Sequence, residues 1–298
     1  MMMHAIHHVG AVLAAILTMG ALLGRSWQYR CPHVAVLLWQ AAVVSFGIGM
    51  VGLLLAAGLS PELGAPAPAL RSLWLHGTPS MHPLRWLAVV AGVALACWIA
   101  FTVVALAWDT TRRRMRVRSL LALVGTHDAA VDGVEVLQHP DLTAYCVPGW
   151  HPRVVVSSGT IATLRAPELR SVLAHERAHA RERHDLALLP MVAASRTLGH
   201  SRLGRAIRAE VTLLVEMCAD ESAARECGRT ELARALRRFG DRANSAPGGA
   251  LGATAGVQSR CARLEDPPAP LPGIAIAALL AIADALVVLP TVLLLVQP

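Results

Sequence analysis

The residues best suited to chemistry in this chain lie in the pattern His175-Glu176-x-x-His179. On a helix the two histidines, four positions apart, share one face, so both imidazoles can reach a single zinc ion. Zinc lowers the pKa of a bound water toward neutrality, and the carboxylate of Glu176 beside it can take the proton of that water. The pattern therefore predicts a zinc metallopeptidase site in which His175 and His179 bind the metal and Glu176 is the catalytic base.

A third ligand is needed, because catalytic zinc sites usually contain three protein ligands and a water. Glu216 and Asp220, also four positions apart, share a face of a second predicted helix. We expect Glu216 to bind the metal and Asp220 to accept the free N–H of a metal-bound imidazole. The alternative is an ordinary acidic helix surface paired with nearby arginines. Cys218 lies on another face and is expected to be a small buried residue. The predicted cofactor is one Zn²⁺ per chain.

The element that must carry the two histidines is a helix beginning near Pro167. Proline suits the first helical position, and Glu168 places negative charge in the first turn. Leu169, Val172 and Leu173 form an apolar stripe that runs into the motif. The local sequence therefore predicts a helix through the motif.

Short extended runs precede this helix and predict a small antiparallel sheet of three strands. They cover Val134–Leu137, Thr143–Val147 and Val154–Ser158. An exposed edge of such a sheet could hold an extended peptide beside the metal by strand addition, while the alternative is that the strands only cover the helices. Downstream, the sequence predicts helices at Ala206–Cys227, ended by Gly228, and from Thr230 to Phe239.

Four long apolar stretches predict a multi-pass α-helical membrane protein, because each is close to the roughly 20 residues that cross a bilayer. They cover Ala5–Leu23, Val34–Leu59, Trp86–Trp108 and Ile274–Val296. A further apolar segment, Leu186–Leu198, is too short to cross and is either a buried helix, which we favour, or a segment lying against the membrane.

These features divide the chain into four predicted parts. Residues 1–108 hold three spans with short loops, and residues 109–239 form an α+β zinc metallopeptidase domain with a small antiparallel sheet and the helix of the zinc motif. Residues 240–273, rich in Gly, Ala and Pro, are interpreted as a linker, and residues 274–298 form the fourth span.

Charge predicts the orientation of the spans. The chain contains no lysine, and arginines cluster in Arg112–Arg118, directly after the third apolar stretch. The positive-inside rule places this cluster in the cytoplasm, so we expect a cytoplasmic peptidase domain with the N- and C-termini outside. The net charge of +7 then serves topology and contact with anionic lipid, and no direct nucleic-acid binding is expected.

Several of these features, taken together, resemble those of a known protein family. The three spans, the strand pair carrying Tyr145-Cys146-Val147-Pro148-Gly149 and Pro152–Gly159, the two zinc motifs and the fourth span resemble the BlaR/MecR-type membrane zinc metallopeptidases. The resemblance implies a gluzincin-like domain in a bacterial cytoplasmic membrane, with His175, His179 and Glu216 on zinc and Glu176 as general base. It also implies signal-dependent cleavage of a regulatory protein such as a BlaI/MecI-like winged-helix repressor.

The sequence departs from this family in two places. It ends at Pro298, so we expect no C-terminal penicillin-binding sensor domain of the kind that antibiotic-sensing members carry after the fourth span. Many related membrane peptidases place an aspartate five residues after the second histidine, whereas this chain has His184 there, followed by Asp185. We assign no role to either residue from the sequence.

Two other functions remain open. An HtpX-like membrane quality-control protease shares both zinc motifs and cleaves many damaged proteins rather than a few. A non-catalytic membrane receptor or scaffold with a structural zinc is disfavoured by Glu176, because such a site needs no base and usually closes its fourth position. Tyr145, His200 and Arg225 are conceivable donors to the oxyanion, but we favour the alternative that each is an ordinary structural or surface residue. The substrate, the inducing signal and the oligomeric state are left open.

Overall fold

A computed structural model describes residues 3–63, 65–76, 82–124, 126–127, 134–149, 151–197, 201–245 and 256–296. The helices are α1 Met3–Leu22, α2 Pro32–Leu63, α3 Pro66–His76, α4 Pro83–Val124, α5 Ser158–Thr163, α6 Ala166–Arg181, α7 His184–Ala187, α8 Leu189–Thr197, α9 Arg202–Cys227, α10 Arg229–Ser245, α11 Val257–Glu265 and α12 Gly273–Leu295. The strands are β1 Thr126–His127, β2 Val134–Leu137, β3 Ala144–Val147 and β4 Arg153–Ser157. A short 3₁₀ turn, Ser26–Arg30, joins α1 to α2.

Four helices in the described residues are long and apolar enough to cross a membrane: α1, α2, α4 and α12. They coincide with the four predicted apolar stretches, so the prediction of four such helices is confirmed. Large apolar side chains lie exposed on their outer faces, for example Leu17, Phe101 and Ile274. A contiguous exposed apolar surface of this kind is typical of helices that lipid covers.

The helix α4 continues well beyond Trp108, where the third apolar stretch ends, and its extension carries the arginine cluster. Arg114 pairs with Asp185 through Nη2 and Oδ2 at 2.8 Å, and Arg118 donates through Nη2 to the carbonyl of His151 at 2.7 Å. Two of the arginines that we interpreted as a topology signal therefore also bind the end of α4 to other segments of the protein.

The sheet has the strand order β1-β2-β4-β3, with β3 at one edge. The hairpin of β3 and β4 is antiparallel, but β2 and β4 run parallel, with Val134 opposite Val154. The prediction of an antiparallel sheet is therefore wrong for this central pair, and the sheet is mixed. The strand β4 is buried on both faces: Val156 packs toward Leu173 of α6, and Val155 packs toward Leu121 of α4.

The connection between β2 and β3 explains the parallel pair, because it crosses the end of β4 instead of making a tight hairpin. The carbonyl of Asp141 accepts a hydrogen bond from the hydroxyl of Ser157 at 2.6 Å, and the amide of Gly159 donates to the carbonyl of His139 at 2.9 Å. Any Cβ at Gly159 would collide with the carbonyl oxygen of Pro140, so only glycine permits this crossing.

The downstream helices differ from their predicted bounds mainly at one end. The helix α9 begins four residues before the predicted Ala206 and ends, as predicted, at Gly228, whose φ is +91°. The helix α10 runs past the predicted Phe239 to Ser245. The apolar segment from Leu186 is divided between α7 and α8; Met191 within it is 1% exposed, as the buried-helix prediction requires, whereas Leu186 is 49% exposed.

The interpretation of residues 240–273 as a linker is wrong for part of that interval. It contains the end of α10 and the helix α11, whose Cys261 and Leu264 are buried against the neighbouring helices. Residues 246–255 lie outside the described part of the chain. The Gly, Ala and Pro content of the whole interval masked a nine-residue helix with apolar positions at 257, 261 and 264.

One hydrophobic core joins the apolar helices to the helices of the predicted peptidase domain. Its buried members on one side come from the ends of α1 and α2, among them Leu22, Val34 and Trp39, and on the other side from α8 and α9, among them Met191 and Leu214. The two parts of the protein are therefore packed together rather than tethered.

Candidate metal centre

The helices α6 and α9 bring the three predicted metal ligands together. The Nε2 atoms of His175 and His179 lie 3.1 Å apart. Carboxylate oxygens of Glu216 lie 3.4 Å from Nε2 of His175 and 3.6 Å from Nε2 of His179. The helices approach closely because small residues, including Ala174 and Ala223, fill their interface.

The geometry of this cluster fits a zinc ion. Two ligand atoms about 2.1 Å from a tetrahedral zinc lie about 3.4 Å apart, which is close to the separations above. Two imidazole nitrogens and one carboxylate also form a ligand set that catalytic zinc uses. One side of the cluster is open, because the Glu216 side chain is 31% exposed and that of His179 20% exposed. The cluster therefore has suitable donors and an accessible side.

His175 is supported by a buried pair of charges. Its Nδ1 lies 3.0 Å from Oδ1 of Asp220, which is the partner that the sequence predicts. Asp220 in turn accepts two hydrogen bonds from Arg260, from Nε and from Nη2, both 2.7 Å. Burial alone lowers the pKa of His175, but the carboxylates of Asp220 and Glu216 outweigh it and raise the pKa to about 10. Burial raises the pKa of Asp220, and Arg260 more than compensates, holding it well below its usual value.

Arg260 is a functional candidate that the sequence analysis missed. It is 6% exposed, and its Nη1 lies 2.9 Å from Oε2 of Glu216, so one guanidinium contacts both Glu216 and Asp220 of α9. A signal was present in the sequence: Arg260 falls one turn after Val257 and one turn before Leu264, on the apolar face of a short helical pattern. A buried arginine needs an anionic partner, and the pair Glu216 and Asp220 supplies it.

His179 is supported differently. Its Nδ1 lies 2.9 Å from Nδ1 of His184, and Nε2 of His184 lies 3.1 Å from Oε2 of Glu182. His184, to which we assigned no role from the sequence, is thus the hydrogen-bond partner of the His179 imidazole. Burial, followed by the nearby charge of His175, lowers the pKa of His179 to about 4.

Glu176, the predicted base, lies between the cluster and the edge strand β3. The backbone amide of Cys146 on β3 donates to its carboxylate, and the charges of His175 and Glu216 act on it. Burial raises the pKa of Glu176 to about 7, while the charge of His175 opposes that rise. A carboxylate with a raised pKa is a better proton acceptor, as a general base for water requires.

The other predicted candidates lie away from the cluster or outside the described residues. Tyr145 packs with Leu121 and Val147 on the α4 side of the sheet. Arg225 donates to Ser222 at 2.9 Å and contacts Glu221. Cys218 is 2% exposed in the shared core, as predicted. His200 lies outside the described residues.

Comparison with known families gives one finding. Residues 107–213 match peptidase family M48. This match supports a metallopeptidase, and it covers the arginine-rich end of α4, the sheet and the helix of the histidine motif. Glu216, Asp220 and Arg260 lie beyond its end, so their placement rests on the geometry described above. Searches of curated proteins and of solved structures gave no match.

Proposed function

We propose that this protein is an integral-membrane zinc endopeptidase that cleaves a regulatory protein on the cytoplasmic side of a bacterial membrane. The observation that carries the proposal is the convergence of His175, His179 and Glu216, with Glu176 beside them. The match to peptidase family M48 covers the two histidines and Glu176, and Glu216 lies three residues beyond its end. The four apolar helices support the membrane location. The arginine cluster at the end of α4 supports the cytoplasmic placement of the site.

The side chains of the site have complementary roles in this proposal. Zinc, when bound, supplies a more acidic water and polarises the carbonyl of the scissile peptide bond. Glu176 accepts the proton of the attacking water and passes it to the leaving amine as the carbon–nitrogen bond breaks. Asp220 fixes His175 with its Nε2 toward the metal, and Arg260 holds Asp220 and Glu216 in place.

The edge strand β3 is the proposed binding site for an extended stretch of substrate. It lies at the edge of the described sheet, and its Cys146 amide already reaches Glu176. A peptide added alongside β3 would pass directly beside the catalytic carboxylate. Following the resemblance to BlaR/MecR-type peptidases, we propose a signal-regulated substrate such as a winged-helix repressor.

The catalytic proposal is tested on the purified full-length protein with an unfolded protein such as casein as substrate. Glu176→Gln keeps the size of the side chain but removes the base, so we expect bound zinc to remain at one per chain and cleavage to fall by at least 100-fold. Glu226→Gln on the exposed side of α9 is the matched control and should cleave normally. Equal cleavage by wild type and Glu176→Gln would contradict the proposal.

The regulatory proposal is tested in host cells by mapping new protein N-termini in cells that express either wild type or Glu176→Gln at matched levels. We expect a few cuts that depend on wild type, including one in a regulatory protein. Many cuts across membrane proteins would instead favour an HtpX-like quality-control protease. No difference between the two cell lines would favour a receptor or scaffold.

A further inference from the structure

The turn Glu182–Asp185, which leads from α6 into the first two residues of α7, contacts the proposed metal centre and two apolar helices. It follows the helix of the histidine motif directly. Arg183 within it has φ of +50° and is the one non-glycine residue with a positive φ among the described residues. A side chain in the left-handed region costs free energy, so surrounding contacts must hold the turn in this conformation.

The hydrogen bonds of this turn set the direction of the imidazole of His179. A carboxylate such as Glu182 can only accept, so Nε2 of His184 donates to it. In a neutral His184 the Nδ1 is then an acceptor, and Nδ1 of His179 donates to it. The lone pair of His179 is left on Nε2, the atom that faces His175 and Glu216. The chain of hydrogen bonds from His179 through His184 to Glu182 therefore selects the His179 tautomer that can bind a metal through Nε2.

Each end of the turn is held by a different apolar helix. Nε2 of His33, at the start of α2, lies 3.0 Å from Oε2 of Glu182. Nη2 of Arg114, on the extension of α4, lies 2.8 Å from Oδ2 of Asp185. The second contact is the better shielded, with side-chain exposures of 22% and 10%, against 43% and 25% for the first. Ser222 of α9 also donates to Glu182.

An open cleft lies beside the turn and leaves space on that side of it. Its volume is about 610 Å³, and its walls include His33 and Leu37 of α2 together with Glu182 and His184. A close-packed surrounding would resist a shift of the turn, whereas this space permits one. A displacement that carries the two Nδ1 atoms from 2.9 Å to beyond 3.5 Å removes their hydrogen bond.

We propose that His184 is a positioning residue for His179, and that the turn Glu182–Asp185 couples the position of α4, through Arg114, and of α2, through His33, to the metal affinity of the centre. This inference rests on the proposed metal role of His179. It goes beyond the proposed function in naming the route by which a membrane-side movement reaches the site.

The first test measures metal binding by the purified full-length protein in lipid nanodiscs. Zinc affinity is measured by competition with a chelator, and the cobalt(II) form is measured by visible absorption. His184→Leu should weaken zinc binding by 10-fold or more and change the cobalt spectrum. His184→Asp should restore both, because its carboxylate can accept directly from His179. His139→Leu, an exposed histidine on the β2–β3 connection, is the control for a lost histidine.

The outcomes separate this inference from the proposed function. A wild-type protein without zinc binding would overturn the proposed function. Stoichiometric binding by wild type, with His184→Leu equal to it in affinity and in cobalt spectrum, would overturn only the role of His184. If leucine at this position prevents folding, His184→Ala carries the same test, with folding of each variant checked by thermal melting.

The coupling is tested by a double-mutant cycle. Arg114→Leu touches no metal ligand, yet it should weaken zinc binding several-fold in wild type and add nothing in the His184→Leu or His184→Ala background. Arg113→Leu is the matched control, since the neighbouring Arg113 pairs with Asp109 one turn before it on α4, and it should leave zinc binding unchanged. Equal effects of Arg114→Leu in both backgrounds, or no effect in wild type, would overturn the coupling.

Discussion

His175 and His179 lie one turn apart on α6, but the structure supports them by different means. The partner of His175 is Asp220, a carboxylate that is 1% exposed and bound by a buried guanidinium. The partner of His179 is His184, a second imidazole whose own partner Glu182 is partly exposed. Against the lowering effect of burial, the carboxylates of Asp220 and Glu216 raise the pKa of His175 to about 10, whereas burial and then the charge of His175 lower the pKa of His179 to about 4.

From this difference we infer that the proposed metal centre has a fixed side and an adjustable side. The Asp220 side is a buried ion pair between α9 and α11, which cannot shift without exposing charge to a nonpolar surrounding. The His184 side is a chain of hydrogen bonds with weaker geometric constraints that ends on α2 and α4. The following predictions test this contrast.

The largest effect is expected from breaking the fixed side. Asp220→Asn removes the buried carboxylate that accepts two hydrogen bonds from Arg260, so that Glu216 is the remaining carboxylate beside the guanidinium, and it leaves His175 with a weaker acceptor. Breaking one partner of a buried ion pair costs about 3–5 kcal/mol, so we expect a loss of that size in the free energy of unfolding. Thermal and denaturant unfolding of the full-length protein measures it, with the exposed Asp141→Asn as the control.

A double substitution sharpens the same point. Asp220→Leu together with Arg260→Met removes both charges, so stability should recover to within about 1–2 kcal/mol of wild type. Zinc affinity should stay low, because His175 still lacks an acceptor. Recovery of zinc binding along with stability would show that the ion pair serves packing alone.

Removing zinc measures how much the adjustable side contributes to the stability that zinc binding provides. At a zinc concentration 1,000-fold above its dissociation constant, the ion should stabilise the wild-type protein by about 4 kcal/mol, which a chelator removes. A tenfold loss of affinity in His184→Leu should reduce this stabilisation by about 1.4 kcal/mol at the same zinc concentration. Melting temperatures with and without chelator measure both quantities. If the chelator lowered the melting temperatures of wild type and His184→Leu by the same amount, the contribution of His184 to zinc binding would be contradicted.

The smallest effect is expected on the stability of the protein at acid pH. Burial raises the pKa of Glu182, but the hydroxyl of Ser222 and then His33 outweigh it, so its pKa lies below the usual 4.5. A lowered folded-state pKa means that the ionised carboxylate stabilises the protein fully above pH 4.5 and loses this contribution as the pH falls through the folded value. In the metal-free protein, the difference in melting temperature between wild type and Glu182→Gln should therefore be constant above pH 4.5 and shrink below it. A difference that grows on acidification would contradict this assignment.

Local patterns in the sequence predicted much of this molecule. The helix of the motif, the four apolar helices, the C-terminal end of α9 at Gly228 and the pairing of His175 with Asp220 all follow from helical periodicity and capping. These features depend on residues close together in the chain, or on two helix faces that must meet around one metal. The convergence of Glu216 with the two histidines was predicted for that second reason.

The missed features depend on contacts between distant segments. The parallel pairing of β2 with β4 is set by how the intervening chain crosses Gly159, which hydrophobic alternation does not reveal. Arg260 reaches the site from an interval with a linker-like composition. The link from His184 to His33 joins residues about 150 positions apart, so no local pattern contains it.

The position of Arg260 in the chain also bears on how the protein is made. A nascent chain that has emerged as far as α10 already contains His175, His179, Glu216 and Asp220, but not the guanidinium that α11 delivers 40 residues after Asp220. Until then, Glu216 and Asp220 lack the guanidinium that pairs with both of them in the finished structure. We therefore expect the proposed hydrolytic centre to be incomplete on an unfinished polypeptide until the chain leading into α12 has been synthesised.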